Sequence, residues 1–173
     1  MLDKRKFSAA FLAAALMAGT CLAQSEKSKD EPQKFYRLDF VVKEVADAKV
    51  INTRSYSTMI STGAHPGSIR TGNKVPFQTG PASNYDYLDV GVKVDCRSAR
   101  EVDNQLWLWV TADVSNLAPG SAALSAGVPP LLRQNSWSSD LILPLRKPTV
   151  IFSSDDPTST HKMQVELTAT PIR

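Results

Sequence analysis

One segment constrains the fold of this chain more than any other: residues 103–115, DNQLWLWVTADVS. In an extended strand, successive side chains point to opposite faces. That period places two aromatic residues on one face and three aliphatic residues on the other: Trp107 and Trp109 against Leu106, Leu108 and Val110. A half-buried strand alternates apolar with polar residues, whereas neither face is polar here. The pattern therefore predicts a strand with both faces removed from water and with both tryptophans in the core.

Three environments would suit such a strand. It could lie between two packed layers, it could pack one face against identical subunits, or its tryptophans could form an exposed platform for sugar rings. We expect packed layers, because buried strands commonly have continuous apolar runs.

The rest of the chain after residue 34 also predicts strands separated by turn residues. No segment there has the period of an amphipathic helix, and Pro and Gly lie mostly between the apolar runs. We therefore predict an all-β domain, a sandwich or barrel-like antiparallel sheet, over residues 35–173. The expected strands, besides the tryptophan segment, are 35–45, 49–59, two short pieces within 68–78 around the turn Gly72–Asn73, 85–96, 131–145, 148–155 and 162–172.

The first 23 residues have the pattern of a secretory signal peptide. A basic start at residues 4–6 precedes an apolar run and a small-x-small cleavage pattern before Gln24. Lipidation of Cys21 is an alternative that we rank lower, because Thr20 precedes that cysteine. Residues 24–34 are charged and apolar-free, which predicts a flexible lead-in. We thus expect an exported protein, periplasmic or outer-membrane-associated, without a transmembrane helix after cleavage.

Removal of this leader changes the charge and the cysteine count. The formal charge falls from +3 to +1, and Cys96 is the single cysteine that remains. No stripe of Lys and Arg occurs, so a nucleic-acid partner is not expected. Cys96 cannot form an intramolecular disulfide, and we interpret it as a small buried apolar residue.

Few residues suggest catalysis or metal binding. Asp155, Asp156 and His161 cluster in SSDDPTSTH and are weak candidates for a cation site. A solvated turn, in which Asp side chains bond nearby backbone N–H groups, is the commoner structure for such a run. His65 belongs to no spaced ligand set. We predict no cofactor and no enzymatic activity.

A series of short motifs, in order, resembles the core β-domain of the secretin family, the outer-membrane channels of type II and type III secretion and of type IV pili. The match spans about residues 68–172 and consists of a Gly-x-x-x-Pro turn, an Asp-Val-Gly strand, a strand ending in Val-Ser, a proline-rich loop followed by an Arg-containing strand, and a terminal Thr-Pro. Its residues are Gly72, Pro76, Asp89, Val90, Gly91, Val114, Ser115, Pro129, Pro130, Arg133, Thr170 and Pro171. Secretins carry N-domains before this region, and we expect none in this protein, because the sequence has no room for them.

The resemblance implies an envelope protein that acts by assembly or binding. We predict a non-enzymatic component or relative of a secretion or pilus channel, with a larger secretin or a second copy as its protein partner. The alternative is a free periplasmic or secreted binding module whose exposed aromatics bind a carbohydrate-type ligand. Residues typical of protected sheet edges predict a monomer or a weak small oligomer: Lys43, Glu44, Lys74, Pro76, Pro144, Arg146 and Lys147.

Overall fold

The alternating runs of the sequence form long antiparallel strands in the computed structural model, which describes residues 32–63, 65–78, 84–118, 130–157 and 159–172. The described residues form eight strands: β1 (Phe35–Ala46), β2 (Lys49–Ser61), β3 (Gly67–Gln78), β4 (Tyr85–Val102), β5 (Gln105–Leu117), β6 (Leu132–Pro144), β7 (Thr149–Asp155) and β8 (His161–Ile172). The described part of the chain contains no helix with the length and hydrophobicity needed to cross a bilayer.

The strands form two four-stranded antiparallel sheets, with the orders β2-β1-β8-β7 and β3-β4-β5-β6. The predicted all-β antiparallel sandwich is therefore confirmed. Strands that follow one another in sequence are neighbours within a sheet or lead from one sheet to the other, and β1 pairs with β8. All strands thus run alternately up and down between two ends of the sandwich. We call the end that contains the turn Asp103–Asn104 the closed end. The end that contains the turn Asp47–Ala48 is called the split end, because β4 and β5 separate there.

The core lies between the two sheets and follows the period of the strands. Alternate residues of β1 and β5 are buried, among them Leu38, Phe40, Leu106 and Val110, each at most 1% exposed. Cys96 of β4 is fully buried in the same cluster, as the sequence predicted. Burial, together with the negative charge of Asp95, raises the pKa of its thiol to about 12. This thiol packs as an apolar side chain.

Trp107 and Trp109 do not lie in this core, and the prediction that they do is wrong. Both are half-buried on the outer face of β5, whereas Leu106 and Leu108 on its inner face are buried. The outer face is covered locally, because the guanidinium of Arg100 lies 4.7 Å from the ring centroid of Trp107. An arginine side chain that lies over an aromatic ring covers part of the ring with its guanidinium and its methylene groups. The ring is then partly shielded from water although no second sheet packs on it.

Two strands are longer than the sequence predicted. β3 is continuous through Gly72, where we expected a turn, because Gly72 pairs directly with Gly91 of β4. β4 continues to Val102 through a segment expected to be a connection. Its register shifts between Arg97 and Arg100, and Ser98 there has φ 56°. Such a bulge admits an extra residue without ending the strand.

The predicted edge-protecting residues are only partly at edges. Lys74 and Pro76 lie on β3, which is an edge strand of its sheet, as expected. Lys43 and Glu44 do not, because β1 lies between β2 and β8. The Lys43 ammonium instead forms a 2.5 Å ion pair with Glu166 on β8.

Several sequence predictions concern residues outside those that the structure describes. They are the signal peptide 1–23 with Cys21, residues 24–31 of the lead-in, and Pro129. Those assignments stay predictions.

Candidate functional site

Most of the secretin-like motif residues meet at the split end. Gly72 of β3 and Gly91 of β4 lie directly opposite each other. A Cβ on Gly72 would lie 2.5 Å from the Val90 carbonyl oxygen, and one on Gly91 would overlap the Thr71 carbonyl oxygen. Gly91 also has φ 159°. The two backbones can approach this closely only because neither residue has a side chain.

The motif residue Ser115 marks the point at which β4 and β5 separate. The β4–β5 ladder has its last pair at Val92 and Val114. Beyond it, the Gly91 N–H donates to the Ser115 hydroxyl at 3.0 Å. That hydroxyl lies 3.3 Å and 3.4 Å from the carbonyl oxygens of Asp89 and Gly91, so it can donate its proton to either. The serine side chain thus replaces the next ladder bond and closes the apex of a notch between the strands.

Beyond this apex, β3 and β4 continue as a two-stranded ribbon, residues 73–78 and 85–90. Among the described strands these residues pair only with each other. On the outer face of the ribbon, Tyr85 and Tyr87 are 60% and 58% exposed, and Tyr87 lies opposite Pro76. Valine and leucine side chains lie on the inner face. The ribbon therefore projects apolar surface on both sides from the end of the sandwich.

A cleft of about 660 Å³ opens between the two sheets beneath the ribbon. Its apolar walls come from both sheets: Val42, Val75, Val90, Val114, Leu132 and Met163. Its charged groups are largely matched. Arg133 pairs with Asp156 at 2.9 Å, and Lys162 pairs with Asp155 at 3.6 Å.

The two other charged residues of the cleft bind neutral amides. Arg54 donates to the Asn116 side-chain oxygen at 2.8 Å, which links the two sheets. Glu44 accepts from the Asn52 amide at 3.4 Å. Three cations and three carboxylates thus line the cleft, so its formal charge is balanced. Such a cleft favours an uncharged, partly apolar ligand over an ion.

The predicted weak metal candidates lie at the mouth of this cleft. Both carboxylates take part in the ion pairs just described, and the Asp156 N–H donates to the His161 carbonyl oxygen at 2.8 Å within the β7–β8 turn. Within the described residues, no group of three or more His, Cys, Asp or Glu side chains could hold a metal ion. The geometry is that of an ion-paired turn.

The remaining motif residues are divided between the two ends. Pro130 is buried and Arg133 forms its ion pair at the split end, while Thr170 and Pro171 pair with Arg37 and Tyr36 near the closed end. The motif is therefore not one site. Seven of its described residues line the notch or the cleft: Gly72, Asp89, Val90, Gly91, Val114, Ser115 and Arg133.

Two groups with shifted pKa values lie at the closed end. The Tyr36 hydroxyl donates to Glu101, which also pairs with Lys34 at 2.8 Å. Burial, reinforced by the hydrogen bond and charge of Glu101, raises the pKa of Tyr36, while the hydrogen bonds from Lys34 and Tyr36 lower the pKa of Glu101. These residues join the start of β1 to the end of β4 and stabilise the sandwich.

Residues that sequence reasoning did not single out complete the site. Asp86 accepts the Tyr87 N–H at 2.8 Å, and Arg54 and Asn116 connect the sheets. Two tyrosines beside an aspartate before Asp-Val-Gly could have indicated an exposed ribbon. Arg54 and Asn116 are 62 residues apart, and no local pattern indicates their contact.

Comparison with known proteins gives similar structures but no sequence match. No family model matches the chain, and a search of curated proteins finds no match. The structure is similar to the secretin domain of InvG from the Salmonella SPI-1 injectisome, with a TM-score of 0.47 and 8% identity. It is also similar to PulD in the Klebsiella pneumoniae type II secretion outer-membrane complex (0.46, 9%) and to the type II secretin GspD of enteropathogenic Escherichia coli (0.44, 10%).

Each similarity covers 82% of this chain. The chain in turn spans 62%, 38% and 66% of those three chains. The InvG and GspD structures are of secretins.

Proposed function

We propose that this protein is a non-enzymatic component of a secretin-type assembly in the bacterial envelope and that it binds a protein partner through its split end. The observation that carries this proposal is the separation of β4 from β5 at Gly91, which leaves a ribbon with exposed tyrosines whose β4 edge, residues 85–90, pairs with β3 alone among the described strands. Exposed tyrosines are typical of protein-binding surfaces.

The ribbon edges carry features that limit unspecific pairing. Pro76 has no N–H to offer on the β3 edge, Lys74 adds a charge there, and the Asp86 carboxylate occupies the Tyr87 N–H on the β4 edge. A protein protected in this way stays a monomer or a weak small oligomer until it meets a specific partner. That partner is a larger secretin or a second copy of this chain.

A free binding module is the second candidate function. It is favoured by the position of Tyr85 and Tyr87, two residues apart on one face of β4, where their rings could contact a sugar. The tryptophans are less suitable for this role, because Arg100 lies over the ring of Trp107.

Site-specific photocrosslinking in cells that express the full chain tests the proposal. A photoreactive amino acid at position 87 should crosslink to a secretin-type protein or to a second copy, identified by mass spectrometry. The matched control is position 150, because Val150 is 52% exposed on β7, in the other sheet. Equal crosslinking from both positions, or products without protein, would contradict the proposal, and glycan-bearing products would favour the second candidate.

A further inference from the structure

We propose that the notch between β4 and β5 receives an extended peptide segment as an added strand, with apolar side chains at every second position. This inference rests on the proposed function in that it assigns how the partner binds at the split end. In this mode of binding, backbone hydrogen bonds to β4 provide affinity, and alternate side chains of the peptide provide specificity.

The backbone of β4 presents its hydrogen-bonding groups to the notch. The Gly91 N–H and the carbonyl oxygens of Asp89 and Gly91 point toward Ser115, on the β5 side. Because these directions alternate along a strand, the groups of Tyr87 and Tyr85 point to the same side. β4 therefore offers an edge from residue 85 to residue 89 that an antiparallel or parallel strand could extend.

The opposite edge of the ribbon supports this assignment. Pro76 lies opposite Tyr87. Because the Tyr87 N–H points to the notch, the two residues form a non-hydrogen-bonded pair, in which the backbone groups of both residues point away from each other. A proline is accepted there because its missing N–H would point away from β4. On the notch side, the Tyr87 N–H donates to the Asp86 carboxylate. A carbonyl oxygen of a partner strand could replace that carboxylate as the acceptor.

There is room for side chains on both faces of an inserted strand. The inter-sheet cleft of about 660 Å³ lies on the inner side of the notch, and a second cavity of about 340 Å³ lies on the outer side. Both cavities are bordered by Asn73, Val90, Leu132 and Gln134. A strand in the notch would direct alternate side chains into one cavity and then the other.

The walls of the two cavities define the chemistry of the partner. The inner cavity is lined by valine, leucine and methionine side chains with balanced charges, so it accepts uncharged apolar residues. The outer cavity is bordered by Arg70, Lys74, Lys93, Asp89 and Asp113, so it accepts polar residues. The matching segment alternates β-branched apolar residues with small polar ones and contains no proline at positions that must donate to β4.

Titration of the purified full chain with a designed peptide tests this inference. The probe is a seven-residue acetylated and amidated peptide with valine at every second position and threonine between. Its control carries proline in place of the central threonine. The probe should shift the amide NMR signals of Tyr85, Tyr87 and Gly91 and slow the exchange of their hydrogens, while the control peptide should bind at least about tenfold more weakly.

Two proline variants separate the notch from the outer ribbon edge. Tyr87→Pro removes an N–H that faces the notch, and Lys74→Pro removes an N–H that faces the opposite edge. We expect Tyr87→Pro to abolish peptide binding and Lys74→Pro to preserve it. Asp86→Ala, which frees the Tyr87 N–H, should tighten binding severalfold.

Each other result has a definite meaning. Absent binding, equal loss in both proline variants, or signal shifts confined to β3 would overturn strand insertion at the notch. Crosslinking from position 87 in cells without peptide binding would leave the proposed function standing and refute only the binding mode. Peptide binding without an envelope partner would refute the proposed function and leave the notch as a peptide site.

Discussion

The Ser115 hydroxyl accepts the Gly91 N–H at 3.0 Å at the place where β4 and β5 separate. We expect Ser115→Ala to lower the free energy of unfolding by about 1–2 kcal/mol, because it leaves a partly buried backbone donor without its acceptor. Hydrogen exchange at Gly91 should become faster than at Val94, inside the ladder. The control is Ser138→Ala on β6, whose hydroxyl bond to Thr111 is exposed and 3.3 Å long. An equal effect of both substitutions would contradict a special role for Ser115.

Gly91→Ala should be more damaging than loss of that hydrogen bond. The added methyl group would overlap the Thr71 carbonyl oxygen, and the backbone at φ 159° disfavours a side chain. We expect a loss of more than about 2 kcal/mol in equilibrium denaturation. Lys93→Ala, two residues further on the same exposed face, is the control and should change stability by less than about 0.5 kcal/mol. Near-native stability of Gly91→Ala would show that β3 and β4 can move apart at this pair without loss of stability.

The β1–β2 turn offers a stabilising change. Asp47 and Ala48 have φ angles of 49° and 62°, which are typical of a two-residue hairpin turn that favours Gly at its second position. We expect Ala48→Gly to raise the free energy of unfolding by about 0.5–1 kcal/mol, because glycine adopts this conformation without steric strain. Asn104→Gly, in the equivalent β4–β5 turn with φ 60°, should gain less, since Asn tolerates this region. Thermal unfolding of both variants checks the order.

The two faces of β5 should differ in their mutational cost. Leu106 is fully buried, so Leu106→Ala should cost about 2–5 kcal/mol through transfer and cavity formation. Trp107 is half-buried under Arg100, so Trp107→Ala should cost less than about 2 kcal/mol. Arg100→Ala should shift tryptophan fluorescence to longer wavelength by exposing the ring. A larger loss of stability from Trp107→Ala than from Leu106→Ala would show that Trp107 belongs to the core.

The closed end predicts a loss of stability at high pH. The pKa of Tyr36 is raised above its ordinary value of 10.0, so the folded protein keeps this proton where the unfolded chain releases it. The contribution is complete below about pH 10 and is lost as the pH rises further. Cys96, raised from 9.0 to about 12, adds a similar loss that begins near pH 9. Tyr36→Phe and Cys96→Val should each flatten the alkaline slope of denaturation curves, and unchanged slopes would contradict these assignments.

Local patterns predicted most of the strands but not how two of them continue. The period of β1 and β8 is readable because one face is mainly apolar and the other mainly polar. Gly72–Asn73 has the composition of a turn, and only the approach of Gly91 on the next strand keeps β3 extended there. Residues 97–102, which include Arg97, Ser98, Arg100 and Glu101, likewise continue β4 because a bulge at Ser98 absorbs the change of register.

The sequence predicted which motif residues belong to the candidate site and their order along the chain. It did not predict that they lie close together in space. The sequence placed Gly72, Gly91 and Ser115 in separate motifs, and tertiary pairing alone brings them to one point. The tryptophans were assigned to the core because a strand pattern cannot reveal that a neighbouring arginine covers an aromatic ring. The cleft depends on contacts such as Arg54 with Asn116, which have no local signal.

The pairing of β1 with β8 has a consequence for how the chain reaches its native state. Of the six ladders between the described strands, five join neighbours along the chain and can form as local hairpins. The ladder from Phe35 and Ile172 to Ala46 and His161 instead requires the two ends of the domain to meet across the whole intervening chain. Loop-closure entropy makes that encounter the slow event, so docking of the first strand against the last should set the folding rate. Joining the two ends by a short covalent linker should therefore accelerate folding and leave the split end unchanged.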